Sequence, residues 1–159
     1  MSENQEQNLD LEAFKTLGRF LIEDEWYPQE MPERNAYTMR FQGRSGSLRV
    51  FASVRPDARQ LLVYAVAPNS IPEELRGAAA EFLTRANYGI YIGNFEMDWS
   101  DGEVRYKSSI AFEGCALTYS LVRNAIYPAV HMMDKYLPGL LKVAYGGKIP
   151  ADAIKEIEG

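Results

Sequence analysis

Two stretches of this chain alternate apolar and polar residues in runs joined by turns too short to carry a crossover, and this limits the fold more than any other feature. In the first, Tyr37, Met39 and Phe41 oppose Thr38, Arg40 and Gln42, and after the flexible Gly43 to Gly46 turn, Leu48, Val50, Ala52 and Val54 oppose Ser47, Arg49, Phe51 and Ser53. A second turn over Arg55 to Arg59, with Pro56 and Asp57, leads into Gln60 to Ala67. That run is apolar on both faces, so a central or covered strand is expected. In the second stretch, Tyr91, Gly93, Phe95, Met97 and Trp99 alternate, Asp101-Gly102 follows, and Val104, Tyr106, Ser108, Ile110 and Phe112 alternate again. Asp-Gly between two such runs is a strong hairpin signal.

Helical spacing brackets these runs. Leu11, Phe14, Leu17 and Leu21 recur at intervals of three and four, which predicts a helix over about Leu9 to Glu23 capped by Asn8, with Asp10 and Glu12 near its positive end. Pro28 and Pro32 end this pattern. Ser70, Ile71, Pro72 and Glu73 have capping-box spacing ahead of a helix that buries Leu75, Ala79, Phe82, Leu83 and Ala86, with Asn87 and Gly89 at its end. From Thr118 to Ala144 the spacing is helical once more through Leu121, Ile126, Val130, Met133, Leu137 and Leu140 or Leu141. Pro128 and Pro138 lie inside it, so a kinked helix or two helices meeting near Leu137 is expected. The order is α-β-β-β-α-β-β-α. The fold class is therefore α+β, an antiparallel sheet with helices packed on one face. Residues 1–8 read as a disordered tail, 9–147 as a single domain and 148–159 as a short helical extension.

Composition narrows the chemistry. A chain of 159 residues with 47% hydrophobic and 25% charged residues has an ordinary globular balance. The lone Cys115 forms no internal disulfide, the N-terminal stretch has no apolar core, and no long apolar run is present, so a cytoplasmic protein without a membrane span is expected. A net charge of −5 disfavours nucleic acid and anionic membrane as partners.

The candidate chemistries are few. Cys115 and His131 are the one possible thiolate–base pair, but more than three helical turns separate His131 from a helix start near Thr118. Glu96, Asp98, Asp101 and Glu103 surround the second hairpin without the spacing of a cation loop, and read as a solvated acidic face. No phosphate loop, zinc motif or hydrolase signature is present. No catalytic residue, metal or cofactor is assigned. Arg34, Arg40, Arg44, Arg49, Arg55 and Arg59 concentrate around the first hairpin, opposed by Glu33 and Asp57, a charge asymmetry suited to RNA or an acidic peptide.

The stretch RANYGIYIGNFEMDWSDGEVRYKSSIAFEG, Arg85 to Gly114, resembles the YbjN family in its asparagine near a helix end, IG-N-F-E strand, D-G turn and V-R-Y return strand. YPAVHMMDKYLPGLLKVAYGG, Tyr127 to Gly147, is similar to the helix with aspartate, tyrosine and proline that precedes a closing glycine there. The family comprises bacterial sensory transduction regulators whose fold resembles type III secretion chaperones of the CesT kind. The resemblance implies that fold, a homodimer, a protein or peptide partner and a chaperone-like or regulatory role, and it carries no catalytic residues. The rival classes are a small RNA-binding protein using the arginine-rich hairpin and an enzyme with a dispersed site.

Phe51 shares its strand phase with Ser47, Arg49 and Ser53, an aromatic ring among polar neighbours. Tyr64, flanked by Leu62 and Val66, is placed to pair with it across the hairpin. Phe51 and Tyr64, with Arg40 and Arg49 as a polar rim, are the expected partner-binding residues if no helix covers that phase.

Overall fold

The computed structural model describes residues 2–159, with side chains for all of these except 6, 7, 9 and 10. Every strand pair is antiparallel, and short turns enforce this in all but the pairing that joins the two hairpin groups. Helix α1 (Glu3–Glu23) precedes strands β1 (Gln29–Met31), β2 (Ala36–Gln42), β3 (Ser47–Arg55) and β4 (Gln60–Val66). Helix α2 (Arg76–Asn87) then leads to β5 (Asn94–Met97) and β6 (Val104–Ala111), and the chain closes with α3 (Tyr119–Tyr145) and α4 (Pro150–Glu158). The six strands lie in the order β1-β2-β3-β4-β6-β5. As expected from its double-sided apolarity, β4 is central, between β3 and β6.

Alternation places Leu48, Val50, Ala52 and Val54 of β3, Leu61, Val63 and Ala65 of β4, and Val104 and Tyr106 of β6 on the same inner phase, where all are buried. Helices cover that phase alone. They contribute Leu17 and Leu21 from α1, Phe82 and Leu83 from α2, and Ile126, Val130, Met133 and Leu137 from α3 to one continuous hydrophobic cluster. Helix α3 runs through the middle, packing on β3, β4 and β6 below and on α1, α2 and α4 at its flanks. This is why its apolar residues spread around so much of its circumference.

Both prolines of α3 lie inside one uninterrupted helix of 27 residues, so of the two expected alternatives the break into two helices near Leu137 does not occur. The second proline is accommodated by a contact from the sheet. Pro138 has no N–H to give the Asp134 carbonyl four residues back, and the Ser45 hydroxyl of the β2–β3 turn donates to that carbonyl instead, at 2.9 Å. The Asp134 carboxylate accepts the backbone N–H groups of Ser45 at 2.8 Å and Arg44 at 3.1 Å from the same turn. Gly43 is what lets the turn come this close, since a Cβ there would stand 2.2 Å from Asp134 Oδ1.

Several local expectations are revised. Helix α1 begins at Glu3, so residues 3–8 form its first turns where a tail was expected, while residue 1 lies outside the described residues. The Ser2 N–H donates to Gln5 Oε1 at that end, Asn8 sits inside the helix rather than capping it, and the side chain of Asp10 lies outside the described ones. Leu11 is exposed, and the buried face is built from Ala13, Leu17, Phe20 and Leu21. The Ser70 capping box does not form: a 3-10 turn over Glu73–Leu75 enters α2 without a side-chain cap. Strand β1 adds a sixth member to the expected five, and Asp101-Gly102 closes a loop from Asp98 to Glu103 rather than a two-residue turn. The C-terminal segment is helical as expected, but α4 packs on α2 and α3 with Ala153 fully buried, so it completes the core.

Asp134→Ala leaves two turn N–H groups without their acceptor, and Gly43→Ala drives a methyl into the carboxylate. Each is expected to lower stability by about 2 kcal/mol, roughly 6 °C in melting temperature. Urea titration and thermal melts of both variants test this.

Candidate functional site: the open face of the sheet

With helices on one phase only, the other phase of the sheet faces outward, and the pairing register aligns its residues in rows. One row runs Gln29, Thr38, Phe51, Tyr64, Lys107 and Asn94 across all six strands. The next runs Arg40, Arg49, Val66, Arg105 and Glu96. Phe51 and Tyr64 are direct cross-strand partners at the middle of the face, half-buried, and neither belongs to the core cluster or packs against it. The phase expected to hold them is therefore uncovered, and the two arginines expected at their rim are exposed one row away.

Cations sit over the rings. The Arg49 guanidinium lies 5.3 Å from the centroid of Phe51, and that of Arg105 lies 4.1 Å from the centroid of Tyr64. Arg105 and Lys107 were not among the residues expected from sequence to form this surface. Their signal was the V-R-Y-K alternation of β6, which could be placed beside β4 only once the strand order was known. Glu96 accepts from Arg105 and from Lys107, both at 2.9 Å. Partial burial alone would raise its carboxyl pKa, but the hydrogen bonds from Lys107 and Arg105 outweigh it and hold the group below the usual carboxylate range. Glu103 reaches Arg49 at 3.8 Å.

The hairpin carboxylates do not converge. Asp98 accepts the Ser100 backbone and hydroxyl, Asp101 accepts the Glu103 N–H, and Glu96 and Glu103 are in the ion pairs above. Glu96, Met97, Asp98, Glu103 and Arg105 line a recess of about 230 Å³, below the roughly 300 Å³ of an ordinary small-molecule pocket. Among the described residues no His, Cys, Asp and Glu group is arranged to hold a metal ion.

Cys115 and His131 stay apart. Cys115 is exposed in the loop before α3, its thiol on the Phe112 carbonyl, whereas His131 lies on α3 roughly 18 Å beyond the helix start. His131 stacks on Tyr127 and meets the edge of Phe41. The six arginines of the first hairpin also disperse. Arg40 and Arg49 pair on the open face, Arg55 bonds Gln60, Arg59 donates to the Cys115 carbonyl and covers Phe112, Arg44 sits in the turn docked on Asp134, and Arg34 lies in the 3-10 turn after β1.

Both sheet edges are blunt. Strand β1 has only three residues. On β5 the Asn87 side chain takes the place of a neighbouring strand, donating to the Phe95 carbonyl at 3.1 Å and accepting its N–H at 2.7 Å. A partner strand would find little free backbone at either edge. No described helix is long and apolar enough to cross a membrane.

Comparison with known proteins bears on the fold. The YbjN family, described as "Putative bacterial sensory transduction regulator", matches residues 19–142. The crystal structure of YbjN from E. coli, described as a putative transcription regulator, superposes with a TM-score of 0.55 at 14% identity, over 76% of this chain and 84% of that one. The ExsC–ExsE complex aligns with a TM-score of 0.48 at 15% identity, over 75% of this chain and 86% of that one. No curated protein matches by sequence.

Because Cys115 and His131 are both exposed and His131 meets the rings of Phe41 and Tyr127, Cys115→Ser should change stability by less than about 0.5 kcal/mol and His131→Ala should lower it by no more than about 1 kcal/mol. Urea denaturation at pH 7 measures both.

Proposed function

The chain belongs to the YbjN family, and we propose that it is a non-enzymatic regulatory module that binds a protein segment on the open face of its sheet, around Phe51, Tyr64, Arg40 and Arg49. The observation that carries this reading is the central aromatic pair on a phase that no helix covers. An enclosed pair of rings belongs to a core; a pair at the middle of an exposed sheet is a contact surface. Blunt edges favour the face over strand addition as the mode of binding. Such a module needs no cofactor. A cytoplasmic location fits the free thiol.

Phe51→Ala and Tyr64→Ala are expected to weaken capture of partner proteins from the native bacterial extract severalfold while lowering the melting temperature by only about 2–4 °C each. Large losses of stability in both variants, with normal capture by the folded fraction, would make these residues core and put the site elsewhere.

The second part of the proposal is a symmetric homodimer. The apolar circumference of α3 is used within the chain, so support now comes from Tyr88, Tyr91 and Ile92, three large exposed side chains in the loop between α2 and β5. Light scattering at tens of micromolar is expected to give twice the 18.0 kDa chain mass. A mass of one chain removes the dimer, and a dimer unaffected by Tyr88→Ser with Tyr91→Ser moves its interface away from this loop.

A further inference from the structure

We infer that the segment bound on the open face is acidic: an extended peptide that sets apolar side chains against Phe51, Leu62 and Tyr64 and places a carboxylate between Arg40 and Arg49. This rests on the sheet-face reading and adds the chemistry of the partner. Two observations carry it.

The first is the pairing of like charges. Arg40 and Arg49 are direct cross-strand partners on the same face. Like charges on directly opposite residues of an antiparallel pair destabilise the sheet, and the Glu103 carboxylate, 3.8 Å from Arg49, answers that charge in part. Sequences break such a local rule where an outside ligand compensates it. A carboxylate bridging the two would accept from both forks.

The second is the charge of the whole face. On the strand residues of the open phase, Arg40, Arg49, Arg55, Arg105 and Lys107 supply five cations against the carboxylate of Glu96, and with Glu103 reaching Arg49 from the adjoining loop the face keeps an excess of three positive charges on a chain whose net charge is −5. The sign of this surface is thus opposite to that of the molecule. Glu96 already shows what it accepts, since its two oxygens sit on Arg105 and Lys107 as a partner's carboxylate would. A second copy of the chain is a poor occupant, because the face would meet its own positive charge. RNA also fits less well. The rings of Phe51 and Tyr64 already carry guanidinium groups where bases would stack.

The test uses the full chain and fluorescence anisotropy with a labelled peptide of about nine residues that alternates aspartate with phenylalanine and leucine. Its asparagine-for-aspartate and lysine-for-aspartate counterparts, and an oligouridylate of about nine nucleotides, are run beside it. The acidic peptide is expected to bind about tenfold more tightly than the asparagine peptide at about 50 mM salt, with the advantage shrinking at about 300 mM. Arg40→Glu with Arg49→Glu should abolish that advantage, with Arg40→Gln and Arg49→Gln as the milder pair should the reversal unfold the protein. Glu96→Gln, by freeing Arg105 and Lys107, should tighten acidic-peptide binding about threefold.

Equal binding of the acidic and lysine peptides, an advantage that survives both arginine pairs, or tighter binding of oligouridylate would overturn the inference. If the asparagine peptide binds as well as the acidic one and loses binding in Phe51→Ala with Tyr64→Ala, the sheet face stands as a site and only its acidity is refuted. Binding of no peptide, or binding that this aromatic double variant leaves unchanged, refutes both.

Discussion

Asp134 ties the two layers of the protein together by polar contact, and the orientation of the first hairpin depends on it. Hydrophobic burial holds the sheet against α3, but burial is non-directional and would tolerate many angles. The carboxylate on the Arg44 and Ser45 N–H groups, with the Ser45 hydroxyl on the carbonyl that Pro138 leaves unserved, fixes one of them. Once the β2–β3 turn is pinned over α3, the inner phase of both strands is committed to the core. By the strict alternation of a strand, Arg40, Arg49 and Phe51 are then committed to the outside.

That arrangement explains how far the sequence could be read. Periods of two and of 3.6 residues reveal which elements exist and which side chains they bury, and they did so for β2, β3, β4, β6, α2 and the stripe of α3. The Phe51–Tyr64 pairing was legible for the same reason, since one hairpin with a short turn leaves few registers. Strand β1 was not, because three residues between two prolines are too few to show a period. Whether the helix continued through Pro138 was left open by the sequence, because the hydroxyl that compensates the proline is 89 residues distant in the chain.

The candidate face was only half visible for a comparable reason. Arg40 and Arg49 lie on adjacent strands, within reach of a hairpin argument. Arg105 and Lys107 reach the same face only because β6, after an intervening helix and β5, inserts beside β4. Likewise, the asparagine at the end of α2 reads from sequence as a helix terminator. Its side chain in fact serves Phe95, in a strand that begins seven residues later.

The central position of α3 also bears on the order in which the fold can be completed during synthesis. Domains acquire structure as the chain emerges from the ribosome, N-terminal parts first. Here every strand precedes Tyr119, while the helix that covers β3, β4 and β6 begins there. The part of the sheet's apolar face that α3 covers therefore stays open in the nascent chain until α3 is made, while α1 and α2 can already pack on its flanks.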